Sequence, residues 1–247
     1  MKEQALDAFT ASELAVTFIE VAKGVTRGVE SVEVFTLLTE RCVKLLPVEA
    51  AGILLKDVTG TLQVIGSSSP SAHLLDLFQV QNEEGPCLEC TQTGLRVIDT
   101  ELSATGKWPK FSSLARNENY QAVYALPLNS RGVAIGALNL FAVQNLDEST
   151  LDIAQSFADT ATLSLLQADI LTDEQIVLRR IHIAVESRNT VEQAQGMIAE
   201  RFAISPDIAL EKIQAAAKES HVTLLEAAIA IVQRDSASAV SSLLEKK

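Results

Sequence analysis

SRNTVEQAQGMIAERFAISPDIALEKIQAAAKESHVTLLEAAIAIVQRD, residues 187–235, carries three helix starts. Thr190 and Gln193 have capping-box spacing, in which each side chain can satisfy the other's backbone N–H. Val191, Ala194, Ile198 and Phe202 then form one apolar stripe. Ser205-Pro206-Asp207 supplies a capping serine, a proline at the first helical position and an acid near the positive helix end. Ala209, Ile213, Ala216 and Ala217 give that second helix a buried side. Thr223 and Glu226 form a further capping box, with Leu224, Ala227, Ala228 and Ile231 behind it. Isolated helices this short are marginal in water. They must pack on one another, and their alanine-rich stripes allow close approach.

Upstream, Leu151 to about Ser187 contains neither proline nor glycine. Ala154, Ala158, Ala161, Leu165 and Ala168 recur close to a heptad seam, which Ile176, Arg179 and Ile183 prolong less regularly. The pattern predicts a long helix that pairs with its counterpart in a second chain. The competing reading is a helix lying on its own domain. Gly196 interrupts the first of the downstream helices. A glycine there costs about 1 kcal/mol relative to alanine, so either close packing or close approach of a ligand must offset it.

Ser187-Arg188, the run Val191 to Ile198, and the two helices containing Ile208 to Ala217 and Ala227 to Val232 together resemble the ANTAR domain over roughly 176–235. The resemblance implies binding to paired RNA hairpins, promotion of transcription antitermination and a homodimer held through the preceding helix. Candidate RNA contacts are Arg188, Gln193, Gln195, Gly196, Arg201, Lys212 and Lys218, with Arg179-Arg180 nearby. The family pattern has lysine at position 195, Leu-Met at 198–199 and arginine at 214; here these are Gln195, Ile198-Ala199 and Gln214. Phosphate contacts depend on Lys and Arg. From Leu171 to Lys247, nine Lys+Arg face eleven Asp+Glu. That balance keeps a second reading open: a non-catalytic dimeric scaffold whose ANTAR-like half has lost RNA binding and takes a protein partner.

The first two-thirds alternates differently. Leu14, Phe18, Val21 and Ala22, then Val34, Leu37, Leu38, Cys42 and Leu45, mark two helices separated near Gly24 and Gly28, with Pro47 ending the second. Ala50–Lys56 and Thr61–Ser67 read as a hairpin, His73–Val80 as a helix, and Val97–Asp99 as a short strand. Val123–Leu128 and Val133–Ala142 read as strands joined by Asn129-Ser130-Arg131-Gly132. The order predicts an α+β fold, an antiparallel sheet with helices on one side.

Glu84-Gly85-Pro86-Cys87, Thr93-Gly94, Val97-Ile98-Asp99, Trp108 to Phe111, Leu126-Pro127-Leu128 and Ile135 to Leu140 resemble a GAF domain over about 10–168, of the kind that precedes ANTAR domains in actinobacterial regulators. The resemblance implies a sensor of small ligands or a dimer contact. The place for a pocket is between the sheet and the 70–120 excursion, with Cys87, Trp108, Phe111, Tyr120, Tyr124 and Asn139 as candidate linings. Trp108 and Phe111 have a competing reading as core aromatics.

Cys87-x₂-Cys90 has no partner pair at metal-ligand spacing, and His73, His182 and His221 are scattered. No metal site is expected. A redox pair and two small residues in a loop remain the alternatives, with Cys42 buried in a helix. Thiol chemistry of the methionine-sulfoxide-reductase type is a further rival within the GAF resemblance, although the cysteine surroundings do not match it. No catalytic triad, paired-carboxylate site or phosphate loop is visible. The net charge of −12 is concentrated in the first 170 residues, where 11 Lys+Arg meet 21 Asp+Glu. That disfavours nucleic-acid or membrane binding by this half. The N-terminus lacks a signal-peptide apolar core, and no run is long enough to span a membrane.

The expected molecule is a cytoplasmic, non-enzymatic transcription regulator without a cofactor. A GAF-like sensor (1–168, last helix from about 147) receives a small-molecule or redox signal. A linker helix, a candidate coiled coil, and an all-α ANTAR-like output domain follow (169–235), and 236–247 form a tail.

Overall fold

The computed structural model describes residues 13–20, 31–57, 59–102, 106–166 and 174–233. The chain divides into two compact units, Met1–His182 and Ile183–Lys247. In chain order the elements are a helix over 13–20 (α1), α2 (Ser31–Leu45), β1 (Ala50–Lys56), β2 (Leu62–Ser67), α3 (Pro70–Asn82), α4 (Pro86–Thr93), β3 (Val97–Asp99), α5 (Pro109–Asn117), β4 (Ala122–Ser130), β5 (Val133–Ala142), α6 (Glu148–Leu166), α7 (Glu174–Phe202), α8 (Pro206–Glu219) and α9 (Leu224–Val232).

The first unit is built on a five-stranded sheet in the order β2-β1-β5-β4-β3, antiparallel throughout. β1, β4 and β5 are buried along nearly their whole length, which explains their continuous apolar wording. Alternation along a strand sends successive side chains to opposite faces. Gly52 and Leu54 of β1, with Asn139 and Ala137 of β5, point toward α3 and α4. On the other face Gly66, paired with Ile53, lies against the Phe35 backbone of α2. Helices therefore cover both faces, not one. α2 and α6 pack on each other, with α2 on β1 and β2 and α6 on β4; α3, α4 and α5 cover the opposite side. The pairing of β1 with β2 shifts register between Ile53 and Leu54.

α3, α4 and α5 all begin with proline at the first helical turn, after Ser69, Gly85 and Trp108 respectively. α4 and α5 lie in the 70–120 excursion, where the sequence pattern predicts one helix, His73–Val80. The Cys-x₂-Cys pair is consequently helical and buried rather than in a loop.

The heptad-like seam has a different use from the one expected. Ala154, Ala158 and Ala161 have no exposed surface and Leu165 has 1%. They face their own sheet and α2, and so form part of the first unit's core instead of a surface offered to a second chain. Ala168 lies outside the described residues, as do residues 167–173, through which a single helix was expected to run.

In the second unit, Val191, Ala194, Ile198, Ala209, Ile213, Ala216, Ala217, Leu224, Ala227, Ala228 and Ile231 form one core, with Phe202 packed against it. Every other stripe residue named from the sequence is in it. Ser205 Oγ accepts the Ile208 N–H at 3.4 Å. The Thr223–Glu226 box is complete: Thr223 Oγ1 accepts from the Glu226 N–H at 3.1 Å, and Glu226 Oε2 accepts from the Thr223 N–H at 2.8 Å. The Thr190–Gln193 box does not form. Thr190 lies well inside α7, and its hydroxyl donates to the Glu186 carbonyl at 2.9 Å. This back-bonding to the preceding turn is the mid-helix use of threonine.

Ala158→Glu places a charge inside the first unit's core, where it has no partner. We expect several kcal/mol of lost stability, seen as a fall in the denaturation midpoint. A variant as stable as the parent but altered in subunit number would return Ala158 to an intermolecular seam.

Candidate functional site

A buried polar cluster lies on the α3–α4 side of the sheet. Asp76 and Gln79 stand one turn apart on α3, and both are fully buried, as is Asn139 on the central strand β5. Asn139 Nδ2 donates to Asp76 Oδ1 at 2.7 Å, and Gln79 Nε2 donates to the same oxygen at 3.2 Å. Gln79 Oε1 accepts the Cys87 N–H at 2.9 Å, which ties the first turn of α4 to α3. Asn139 also hydrogen-bonds the Cys87 thiol. Gly52 is cross-strand from Asn139. The Asp76 carboxyl occupies the space in which any side chain at position 52 would begin. Gly85, at φ 153°, lies against Gln79 in the same way.

Burial pushes the Asp76 carboxyl up to about 7, against the opposing hydrogen bonds from Asn139 and Gln79. Burial likewise raises the Cys87 thiol, with the Asp76 charge adding to it. Cys90 is raised to about 12 by burial, with Lys56 opposing. Both cysteines are free and buried. Reactive cysteines have the opposite properties, a lowered pKa and access to solvent.

The six ligand candidates do not converge on one pocket. Phe111 and Tyr120 belong to an apolar cluster with Leu75, Leu102 and Phe141, and Trp108 packs against it. The Tyr120 hydroxyl is 3.0 Å from Ser71 Oγ, and its ring is 5.2 Å from that of Phe141. Cys87 belongs to the neighbouring cluster with Leu54, Cys90 and Ala137. Tyr124 is on the wrong face. Val123 and Ala125 point toward the α3–α5 side, so Tyr124 between them points the other way. Its hydroxyl accepts the Leu146 N–H at 2.8 Å, just before α6. Of the six, Cys87 reaches the polar cluster by its backbone N–H, and Asn139 belongs to it by its side chain. Its partners Asp76 and Gln79 were missed, although two polar residues in the otherwise apolar Leu74–Val80 stretch were a visible signal.

In the second unit the RNA candidates are spread over two helices. Arg188 is largely buried, and its Nε donates to Glu192 Oε1 at 2.8 Å. Gln195 Nε2 donates to the Pro206 carbonyl at 2.9 Å, fastening α7 to the start of α8. Arg201 is exposed and lies over the Phe202 ring at 5.6 Å. Lys212 and Lys218 are exposed on α8 beside Glu211 and Glu219. Asn189, Gln193, Gly196 and Glu200 are exposed and, at spacings of four, three and four, follow one face of α7. A Cβ added at Gly196 would meet nothing within 4 Å. Packing inside the unit therefore does not account for this glycine.

The chain joins an antiparallel sheet clad in helices to a small all-α unit. Family comparison is specific on both. Residues 30–165 match the GAF domain and residues 179–232 the ANTAR domain. The GAF match spans more than half of the sequence, and the chain belongs to the GAF-domain family, with an ANTAR domain following. That architecture is the one of signal-responsive RNA-binding regulators in general.

No curated protein matches the chain. Among solved structures, it is similar to the GAF domain of a phosphoenolpyruvate-protein phosphotransferase from Coxiella burnetii, at 15% identity and TM-score 0.49 over 64% of this chain and 95% of that one. The GAF domain of the Acinetobacter phosphoenolpyruvate-protein phosphotransferase is 14% identical, at TM-score 0.48 over 63% and 94%. A type II free methionine-R-sulfoxide reductase from Thermoplasma acidophilum is 14% identical, at TM-score 0.45 over 54% and 91%. Among the described residues, no helix is long and apolar enough to cross a membrane.

Gly52→Ala drives a methyl group into the Asp76 carboxyl. The expected loss is about 1–3 kcal/mol, as for overpacking, read from the denaturant midpoint. An unchanged midpoint would mean that Asp76 does not occupy that space. Cys87 and Cys90 should resist alkylation at neutral pH until the protein unfolds; rapid labelling of the folded chain would contradict their burial.

Proposed function

We propose that this chain is a non-enzymatic transcription antiterminator that binds paired RNA hairpins through its ANTAR domain, under control of the GAF domain as sensor. The observation that carries the reading is Gly196. It is an exposed glycine inside a 29-residue helix of an ANTAR domain, with open space where a side chain would be. Such a position costs about 1 kcal/mol in helix stability, and close approach of a nucleic-acid backbone or base is a use that offsets it. Gln193 and Asn189 on the same face offer donors and acceptors suited to hairpin-loop bases, whose edges are exposed. Exposed Arg201, Lys212 and Lys218 are the proposed phosphate contacts. Arg188 and Gln195, which have partners inside the unit, are proposed to hold α7 in place.

The proposed molecule is a cytoplasmic homodimer. Val16 and Ile19 of α1 and Leu163 of α6, about half exposed, are apolar surface available to a second chain. The raised pKa values and burial of Cys87 and Cys90 count against both thiol catalysis and a redox signal at that pair. Whatever the signal, it controls output only by binding two arrangements of the protein with different affinity.

The test is binding of the parent chain and of Gly196→Ala to a panel of two-hairpin RNAs. The substitution should raise unfolding stability by about 1 kcal/mol while weakening RNA binding at least tenfold. Stabilisation with unchanged affinity would move the contact away from this face. Absence of RNA binding by the folded parent chain across the panel would favour a scaffold that takes a protein partner.

A further inference from the structure

Two atoms of the buried cluster have no hydrogen-bond partner, Asp76 Oδ2 and Asn139 Oδ1. They belong to the same carboxyl–amide couple, whose other two atoms, Asp76 Oδ1 and Asn139 Nδ2, are already joined at 2.7 Å. Both orphans are acceptors when Asp76 is ionised, and an unsatisfied buried acceptor carries the full desolvation penalty. One proton resolves both. Placed on Oδ2, it would make that oxygen a donor, and donation to Asn139 Oδ1 would close a two-bond ring of carboxylic acid and amide. We infer that Asp76 and Asn139 form a proton-binding site in the core of the GAF domain, occupied as a neutral acid–amide pair, and that release of this proton loosens the α3–α4 corner.

The surroundings favour a proton over a larger ligand. Oδ2 lies against Gly52, with no room for a side chain at that position. Leu54, Ala137 and Cys87 continue the packing on one side, and Leu75, Phe111 and Phe141 on the other. No cation is hydrogen-bonded or ion-paired to Asp76 among the described residues. From α3 itself come the amide of Gln79 and, one turn earlier, His73, whose Nδ1 is 3.3 Å from Ser67 Oγ. From α4 come the thiols of Cys87 and Cys90, both held neutral. From β1 comes the Lys56 ammonium, which donates to the Thr91 and Ala134 carbonyls at 2.7 and 3.0 Å. Between α3 and α4, Glu84 points away, accepting the N–H groups of Lys110 and Phe111 at the start of α5.

Burial pushes the carboxyl up to about 7, so the site empties near neutral pH. Ionisation leaves a buried anion beside Gln79, the residue that holds the Cys87 N–H. The first turn of α4 is thus the part coupled to the proton. That this makes pH an input signal rests on the sensor reading of the domain; the proton site itself does not.

The sign of the pH effect follows from linkage. Folding raises this carboxyl from its ordinary 3.8 to about 7, so the folded state holds the proton more tightly. The stabilisation is complete below the ordinary value and is lost as pH rises through about 7. Asp76→Asn keeps the ring, through an amide in place of the neutral acid, and removes the proton. The experiment is thermal unfolding of the full-length chain and of Asp76→Asn across neutral pH, with hydrogen-exchange protection of the Cys87 amide measured alongside. We expect the parent chain to lose stability and Cys87 protection relative to the variant as pH rises from about one unit below 7 to about one unit above. Glu40, also raised by burial, and the histidines act equally in both proteins and cancel in the difference. Parallel pH profiles for the two proteins would overturn the inference. If the variant does not fold, infrared spectra of the parent decide: a protonated-carboxyl band that disappears across this range supports the site, and its absence at the lower pH refutes it. Neither readout involves RNA, so failure here is distinct from failure of the antiterminator reading.

Discussion

A carboxyl group buried without a cation beside it is the constraint around which the first unit is organised. Removing an ionised carboxylate from water is too costly to leave uncompensated. The Asp76 side chain is therefore met by the amides of Asn139 and Gln79. Each of these fixes something larger. Asn139 stands on β5, the middle strand of the sheet. Gln79 reaches the first turn of α4. Gly52, opposite Asn139, is small because the carboxyl lies over it. One polar contact thus sets the height of α3 over the sheet, the start of α4 and the identity of a residue on β1.

The second unit obeys a different rule. Its core is mostly alanine, isoleucine and leucine from three helices. Alanine contributes little buried area per residue, so such a core depends on close helix approach and on well-made ends. Those ends are present: a serine cap and proline at α8, and a complete capping box at α9. Gly196 stands apart from this economy. It weakens the longest helix at a point where nothing in the unit packs on it, which is why the proposed RNA contact is placed there.

The sequence was most legible where a local signal has a single structural meaning. Ser205-Pro206 and Thr223–Glu226 marked α8 and α9 because their side chains had no better partner than the helix start. Thr190–Gln193 has the same spacing, but it lies well inside α7, and its hydroxyl bonds back to Glu186. The apolar periodicity of 154–165 was real, yet periodicity cannot say what the stripe faces; here it is the chain's own sheet. Tyr124 was placed with Tyr120 and Phe111 by proximity in sequence, whereas strand parity sends it to the other face. The Cys87-x₂-Cys90 spacing does not signal α4, whereas Gly85-Pro86 does, as a helix start. Asp76 was illegible as a site because its meaning depends on Gly52 and Asn139, 24 and 63 residues away in the chain.

The most direct test of the antiterminator account is the amide NMR spectrum of the full-length chain with and without a two-hairpin RNA. The account predicts the largest shifts at Asn189, Gln193, Gly196 and their neighbours on α7, smaller ones at Arg201, Lys212 and Lys218, and little change in the Leu224–Val232 helix. Binding that shifts α9 and leaves Gly196 unmoved, or no shift anywhere in residues 183–233, would contradict it.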